Sequence, residues 1–211
     1  MNTNQILNTG TTTVGIMCKD CLILAADKRA TAGNFIASKN VEKVLPVSDR
    51  VAVTTSGTVS DIQFITKLLK AELKLKEIRS SREATVKEAA NLLTELVYNN
   101  VRKFSTIPGI THFLLGGADE HLHLYDLYAD GSISEVDDFV SSGSGSVMAY
   151  GVLEAYYKAG LSEADGVELV LKAISAAMQR DSASGEGVDV YVINKHGLKK
   201  VAAKRVNKSL E

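Results

Sequence analysis

Patterns typical of helices and patterns typical of strands occur in separate blocks along this chain of 211 residues. Strand patterns come first, two amphipathic helices follow, more strands come next, and two further helices precede a final pair of strands. A doubly wound parallel sheet would instead alternate single strands with single helices. The order therefore predicts an α+β fold, in which mostly antiparallel sheets carry helix pairs on their outer sides.

The individual elements follow from their periodicity. The segment TTTVGIMC (11–18) alternates, with Val14, Ile16 and Cys18 on one face, and Lys19-Asp20 predicts a turn. CLILAAD (21–27) is continuously apolar, which is typical of a strand buried on both faces. The other patterns predict strands at 43–47, 50–56, 110–118, 121–128 and 188–194, a hairpin at Asp130-Gly131 leading into the strand SISEVDDFV, a turn at His196-Gly197 before a last short strand, and helices at 62–73, 86–104, 145–159 and 162–181.

The composition excludes several classes of protein. Lysine and arginine total 24 against 25 acidic residues, so the chain lacks the basic excess of a nucleic-acid-binding protein. No apolar run approaches the roughly 18–20 residues of a membrane span, and the first ten residues have no secretory signal. We therefore expect one cytoplasmic domain that binds neither nucleic acid nor membrane. Cys18 and Cys21 form a lone C-x-x-C pair, which we interpret as packed thiols.

The familiar catalytic motifs are missing from the sequence. There is no G-x-S-x-G elbow, because GSGS at 143–146 has the wrong spacing, and there is no phosphate-binding loop. His121 and His123 share a strand face, but no carboxylate lies at ligand spacing, so we do not predict a metal site. One arrangement needs neither histidine nor metal: a threonine whose own α-amino group is the base.

Thr11 is the candidate for that arrangement. An α-amine titrates at about 7.7–8.0, so it can accept and return a proton near neutral pH. Threonine must then be the first residue, which requires removal of a leader. Gly10 precedes Thr11, and glycine has no Cβ to hinder attack on its carbonyl group. We therefore predict cleavage between Gly10 and Thr11, with residues 1–10 as a leader and 11–211 as the single domain.

The turn at Lys19-Asp20 would place Thr11 within a residue or two of Asp27 on the next strand, although the sequence leaves the register open. Charge at the end of an apolar strand is costly unless it is partnered. The alternative for the cluster Asp27-Lys28-Arg29 is a strand end that reaches solvent.

Several segments together carry a family resemblance. They are TTTVGI after a glycine, AADKRAT (25–31), KNVEKV (39–44), SG (56–57), SGSGS (142–146) and QRDSASG (179–185). In this order, from Thr11 to about Asn194, the sequence resembles archaeal proteasome β subunits. The resemblance implies the N-terminal-nucleophile hydrolase fold, a four-layer α/β/β/α sandwich of two mostly antiparallel sheets.

The resemblance also implies roles for individual residues. Thr11 would be the nucleophile, Lys43 would lower the pKa of its hydroxyl and amine, and Asp27 would hold Lys43. The other implied catalytic residues are Gly57 at the oxyanion position and Ser144, Asp181 and Ser184 in the network around the Thr11 amine. Each has a structural alternative: a surface lysine, a turn glycine, an N-capping serine, and a helix stop made of Asp, Ser and Gly.

Substrate contacts follow from the same resemblance. Thr31 and Gly57 would pair with the peptide backbone, while Ala30, Val41, Thr55 and Val59 would line the pocket for the side chain before the cut. These pocket residues are small and uncharged, which favours a neutral side chain. The resemblance implies no metal or cofactor. Its implied partners are α subunits, other β subunits in seven-membered rings stacked as a pair between α rings, a regulatory ATPase, and unfolded polypeptides as substrates.

Two rival interpretations remain open. The first is a weakly active or unprocessed β subunit that serves as a ring component and needs a β paralogue. The second is the simpler bacterial two-ring peptidase of the same superfamily, which also begins with threonines. The segment QRDSASG favours the proteasome over the second.

Overall fold

The computed structural model describes residues 10–106 and 109–204, with side chains as far as Val201. Of the predicted leader, only Gly10 lies within the described residues.

In the described residues, two five-stranded sheets and one small hairpin form the β-structure, and every strand pair is antiparallel. The first sheet has the order β10-β1-β2-β11-β12. Its strands are β1 (Thr13–Met17), β2 (Leu22–Asp27), β10 (Phe139–Ser142), β11 (Val188–Asn194) and β12 (Gly197–Lys204). The second sheet has the order β5-β6-β7-β8-β9, and β3 pairs with β4 in the hairpin. Their strands are β3 (Ala30–Ala32), β4 (Phe35–Ser38), β5 (Val44–Pro46), β6 (Val51–Gly57), β7 (Thr111–Ala118), β8 (Leu122–Leu127) and β9 (Ile133–Glu135).

Four helices complete the layers in the part of the chain that the structure describes. They are α1 (Val59–Ser80), α2 (Val86–Arg102), α3 (Ser146–Tyr156) and α4 (Glu163–Arg180). One apolar cluster joins α3 and α4 to the first sheet, a second joins α1 and α2 to the second sheet, and a third fills the space between the sheets. This stacking confirms the predicted four-layer α/β/β/α sandwich.

The central hairpin shows how the sequence builds these layers. Val14 and Ile16 belong to the cluster under α3 and α4, as their alternation predicts. In β2, Ile23 faces the same cluster while Leu24 faces the second sheet, so this strand is buried on both faces as predicted. Cys18 and Cys21 are buried free thiols at the hairpin end, where the Cys18 N–H donates to the Cys21 carbonyl oxygen at 2.8 Å.

Four predicted element boundaries are wrong. The first helix covers Val59–Ser80 rather than 62–73. The second helix ends at Arg102, and Phe104, predicted to lie on its apolar face, is fully exposed. The third helix covers Ser146–Tyr156 rather than 145–159. The predicted strand SISEVDDFV is two strands, β9 and β10, which belong to different sheets. Period-two patterning shows where strands are possible but carries no information on which sheet a strand joins.

The hairpin β3–β4 has no counterpart among the predicted elements. Its strands are short, and Phe35 is 71% exposed, so the apolar alternation that marks a half-buried strand is weak here. Among the helices of the described residues, none is long and apolar enough to cross a membrane.

Candidate active site

Thr11 lies two residues before the start of β1, where the first sheet brings it close to the end of β2. The Asp27 N–H donates to the Thr12 carbonyl oxygen at 3.1 Å, and the Thr12 N–H donates to Asp27 Oδ1 at 2.9 Å. Thr12 is therefore opposite Asp27, which confirms the predicted proximity of Thr11 to Asp27. Thr11 is 3% exposed, and its hydroxyl donates to the Gly10 carbonyl oxygen at 2.8 Å.

Asp27 and Lys43 form a buried ion pair beside Thr11. Lys43 Nζ donates to Asp27 Oδ1 at 2.7 Å, and both residues are buried. Asp27 Oδ2 accepts from the backbone N–H groups of Arg29 and Gly185, each at 3.0 Å. Burial lowers the pKa of Lys43, and the Asp27 charge opposes part of that shift. The two alternatives, a solvated strand end at Asp27 and a surface lysine at Lys43, are both wrong.

Asp181 accepts from two serines, one of which contacts the nitrogen of Thr11 and the other the hydroxyl of Thr12. Its Oδ2 atom accepts from Ser144 Oγ and from Ser184 Oγ, each at 2.6 Å. The Thr11 N–H donates to Ser144 Oγ at 3.2 Å, and Ser184 Oγ lies 2.7 Å from Thr12 Oγ1. Asp181 caps the C-terminal end of α4, where the helix dipole disfavours a carboxylate, so these hydroxyl donors offset that cost. Ser144 is not the N-cap of α3, because that position belongs to Gly145.

Two glycines lie where one backbone segment approaches another too closely for a side chain. Gly57 ends β6 with φ of +117°, and a Cβ there would lie 2.2 Å from the Ile110 carbonyl oxygen. Gly143 has φ of +93°, and a Cβ there would lie 2.0 Å from the Thr11 carbonyl oxygen. Only glycine combines such a φ with so little space. The SGSGS run therefore passes directly over Thr11.

Comparison of the sequence with those of known proteins places this chain in a family. The family profile described as "Proteasome subunit" matches residues 7–193. This chain belongs to the proteasome subunit family. It is similar to proteins named "Proteasome subunit beta" from Archaeoglobus profundus, at 48% identity over 95% of this chain and 92% of that protein. Similar proteins of that name occur in Ferroglobus placidus (44% identity, 96% and 95% covered) and Methanopyrus kandleri (40% identity, 97% and 97% covered).

The predicted substrate-contacting residues lie on several elements of this proteasome fold. Thr55 on β6 donates through its N–H to the Lys43 carbonyl oxygen at 2.9 Å, and Val41 donates to the Lys28 carbonyl oxygen at 3.0 Å. These bonds place both residues beside the Asp27–Lys43 pair. Ala30 and Thr31 belong to β3, while Val59 begins α1 and is 45% exposed. That these five residues and Gly57 contact substrate stays a prediction.

Thr12 is the site residue that the sequence reasoning missed. Its amide bonds to Asp27 and its hydroxyl lies beside Ser184, so it joins the two halves of the polar cluster. Two further threonines beside Thr11 were the signal, since strand propensity alone does not require three in a row.

The histidines lie elsewhere in the proteasome fold. His112 Nε2 lies 2.5 Å from Asp126 Oδ1, and His123 Nδ1 lies 2.8 Å from Glu135 Oε1. Among the described side chains, no group of three or more His, Cys, Asp and Glu residues is placed to hold a metal ion.

Proposed function

We propose that this chain is a threonine-type endopeptidase subunit that hydrolyses peptide bonds of unfolded proteins. The observation that carries the proposal is the chain of contacts from the Thr11 nitrogen through Ser144 Oγ to Asp181, at 3.2 and 2.6 Å. A network aimed at a backbone nitrogen has a chemical purpose if that nitrogen becomes a free amine that moves protons.

In the peptidase reaction, the Thr11 hydroxyl attacks the scissile carbonyl carbon while the Thr11 amine accepts its proton. The Lys43 ammonium, held by Asp27 at 2.7 Å, favours the deprotonated hydroxyl. The Gly57 N–H, next to the start of α1, would donate to the oxyanion. The amine then protonates the leaving nitrogen, which leaves an ester on Thr11 Oγ. Water, deprotonated by the same amine, hydrolyses that ester.

The same hydroxyl would first cleave its own chain. Thr11 Oγ1 already donates to the Gly10 carbonyl oxygen at 2.8 Å, so the two reacting groups are adjacent. Attack on the Gly10 carbonyl carbon forms an ester on Oγ and breaks the bond to the Thr11 nitrogen, which leaves as an amine after taking up the proton that the hydroxyl loses. Water then releases residues 1–10, and the freed amine becomes the base.

The names of the relatives support assembly into a proteasome particle, and the family resemblance implies the composition proposed for it. We infer that the chain assembles with proteasome α subunits and with other β subunits in seven-membered rings, and that a regulatory ATPase supplies unfolded polypeptides in the cytoplasm. The rival is a ring component that is never processed. Identity with archaeal β subunits favours the proteasome over the bacterial two-ring peptidase.

The intact mass of the chain after assembly with its cognate α subunits tests this proposal. A chain that begins at Thr11 and a particle that hydrolyses peptides would support it. Thr11→Ala should leave residues 1–10 attached and abolish hydrolysis, whereas Thr11→Ser, which keeps a hydroxyl, should still be cleaved. Unchanged hydrolysis by the Thr11→Ala particle would establish the structural role instead.

A further inference from the structure

An ionic cluster with a buried and an exposed half lies beside the candidate active site and has no part in the mechanism above. Asp189 on β11 is 1% exposed, and its carboxylate accepts from Lys28 Nζ at 3.2 and 3.3 Å. Lys200 Nζ lies 2.9 Å from the same carboxylate and 3.3 Å from Glu42 Oε1. The cluster therefore balances two lysines with two carboxylates.

Asp189 faces the space between the two sheets. Along β11, Val188 and Val190 pack under the helices, whereas Tyr191 and Ile193 belong to the core between the sheets. Side chains alternate along a strand, so Asp189 shares the inner face with Tyr191. Strand β5 packs against β11 at this face. Asp189 is thus close to the segment that leads into β5 and carries Lys43.

That segment has no regular structure of its own over residues 41–43 and is held at three points. The Val41 N–H donates to the Lys28 carbonyl oxygen at 3.0 Å, and Glu42 pairs with Lys200 at 3.3 Å. The Lys43 carbonyl oxygen accepts from the Thr55 N–H at 2.9 Å. The first two contacts are made by Lys28 and Lys200, the two lysines that Asp189 binds.

We propose that Asp189 is a positioning residue that places Lys43 against Asp27 by anchoring Lys28 and Lys200. The inference rests on the proposed function, in which Lys43 acts on Thr11. The Lys28 side chain is only 8% exposed, so loss of its counter-charge leaves a buried ammonium that must move toward water. Loss of the Asp189 anchor, with or without an orphan ammonium, also lets the Lys28 carbonyl group shift, and with it Val41 and the residues that follow.

Two variants test the proposal. Asp189→Asn removes the charge, and Lys28→Met with Asp189→Asn removes the buried pair, so that no orphan ammonium impairs folding. The matched control is Lys74→Met with Glu77→Gln, an exposed pair on α1 with a 2.8 Å separation. In processed, assembled particles we expect the double variant to lower kcat by about 10- to 100-fold with KM nearly unchanged, because a small misplacement of a catalytic group has effects of this size. The alkaline limb of kcat should also move, while the control keeps wild-type values.

A crystal structure of the double variant gives a reading that does not depend on activity. A longer separation between Lys43 Nζ and Asp27 Oδ1 supports the proposal, and retention of the 2.7 Å contact overturns it. Wild-type kcat and an unmoved pH profile in the double variant also overturn it, since a merely structural role changes only the unfolding temperature. The proposed function fails separately, through unchanged hydrolysis by the Thr11→Ala particle.

Discussion

A Cβ atom added to Gly10 would lie 1.9 Å from the Cβ atom of Ala183, and 2.8 Å from Ser144 Oγ. Gly10 is buried, and the half-buried Ala183 is held by its N–H, which donates to Asp181 Oδ1 at 3.1 Å. The residue before the proposed cleavage site is thus selected by the space that Ala183 leaves.

Gly10→Ala should therefore slow or block self-cleavage, because the added methyl group displaces the Gly10 carbonyl from Thr11 Oγ1. Ala183→Gly should remove the collision, so Gly10→Ala with Ala183→Gly should recover part of the cleavage. Intact mass against time, with Ala183→Gly alone as the control, measures the rates. Normal processing of the Gly10→Ala single variant would contradict this steric explanation.

Hydrolysis should have an alkaline limit set by Lys43. Burial lowers the pKa of this lysine from its ordinary value of 10.5. As the pH rises, its ammonium therefore loses its proton at a pH below 10.5, and kcat should fall over the same pH range. The stability effect has the opposite sign: between the folded and unfolded pKa values the unfolded chain binds more protons, so this group adds stability as the pH rises.

The dependence of kcat on pH checks this prediction. Lys43→Met should lower kcat by about 100-fold or more, since electrostatic groups of this kind contribute on that scale. Lys74→Met, which removes an exposed lysine, should keep the wild-type profile. An alkaline limit at or above 10.5 would argue against the buried-lysine origin.

The two serines that share Asp181 Oδ2 should behave as one unit with it. Asp181→Asn weakens both 2.6 Å bonds, and we expect it to reduce kcat by about 10²–10⁴-fold, as for loss of an acid–base group. Ser144→Ala with Ser184→Ala should cost nearly as much, and adding Asp181→Asn to that pair should cost little more. Steady-state kinetics of the variants tests this, and fully additive losses would show that the three residues act independently.

Stability should depend on the capping box at the start of α2. Thr85 accepts from the Glu88 N–H, and Glu88 accepts from the Thr85 N–H. Thr85→Ala should cost about 1 kcal/mol, a fall of about 2–4 °C in the unfolding midpoint. Ser60→Ala, an exposed change in the first turn of α1, should have little effect. Equal midpoints for the Thr85 variant and the wild-type chain would contradict the capping role.

The stability that the capping box contributes should decrease as the pH falls. Hydrogen bonds from Arg82, then Lys76 and the Thr85 backbone, hold the pKa of Glu88 well below its ordinary 4.5. A lowered carboxylate pKa contributes stability above the unfolded value and loses it as the pH falls through the folded value. The difference in midpoint between the wild-type chain and Glu88→Gln should therefore shrink below pH 4.5, which thermal unfolding at several pH values would detect.

Local patterns in the sequence were enough to predict most strands and helices, and the family resemblance implied their four-layer stacking and the residues that could do chemistry. Alternation in β1, the apolar run of β2 and the helical spacing of the paired helices are local signals, because each reflects which side of one element is buried. The run from Gly10 to Thr13 and the segments around Asp27, Lys43, Ser144 and Asp181 likewise carried the family resemblance.

Only the tertiary structure decided how those residues meet. The split of SISEVDDFV between two sheets, the place of Thr12 opposite Asp27 and the 1.9 Å approach of Ala183 to a Cβ on Gly10 all depend on strand register and on the packing of α4. The role of Asp189 could not be predicted from the sequence either, since the segment VDVYVIN indicates only a strand with one acidic residue. Its two lysines come from positions 28 and 200, and contacts over such separations have no local periodicity to reveal them.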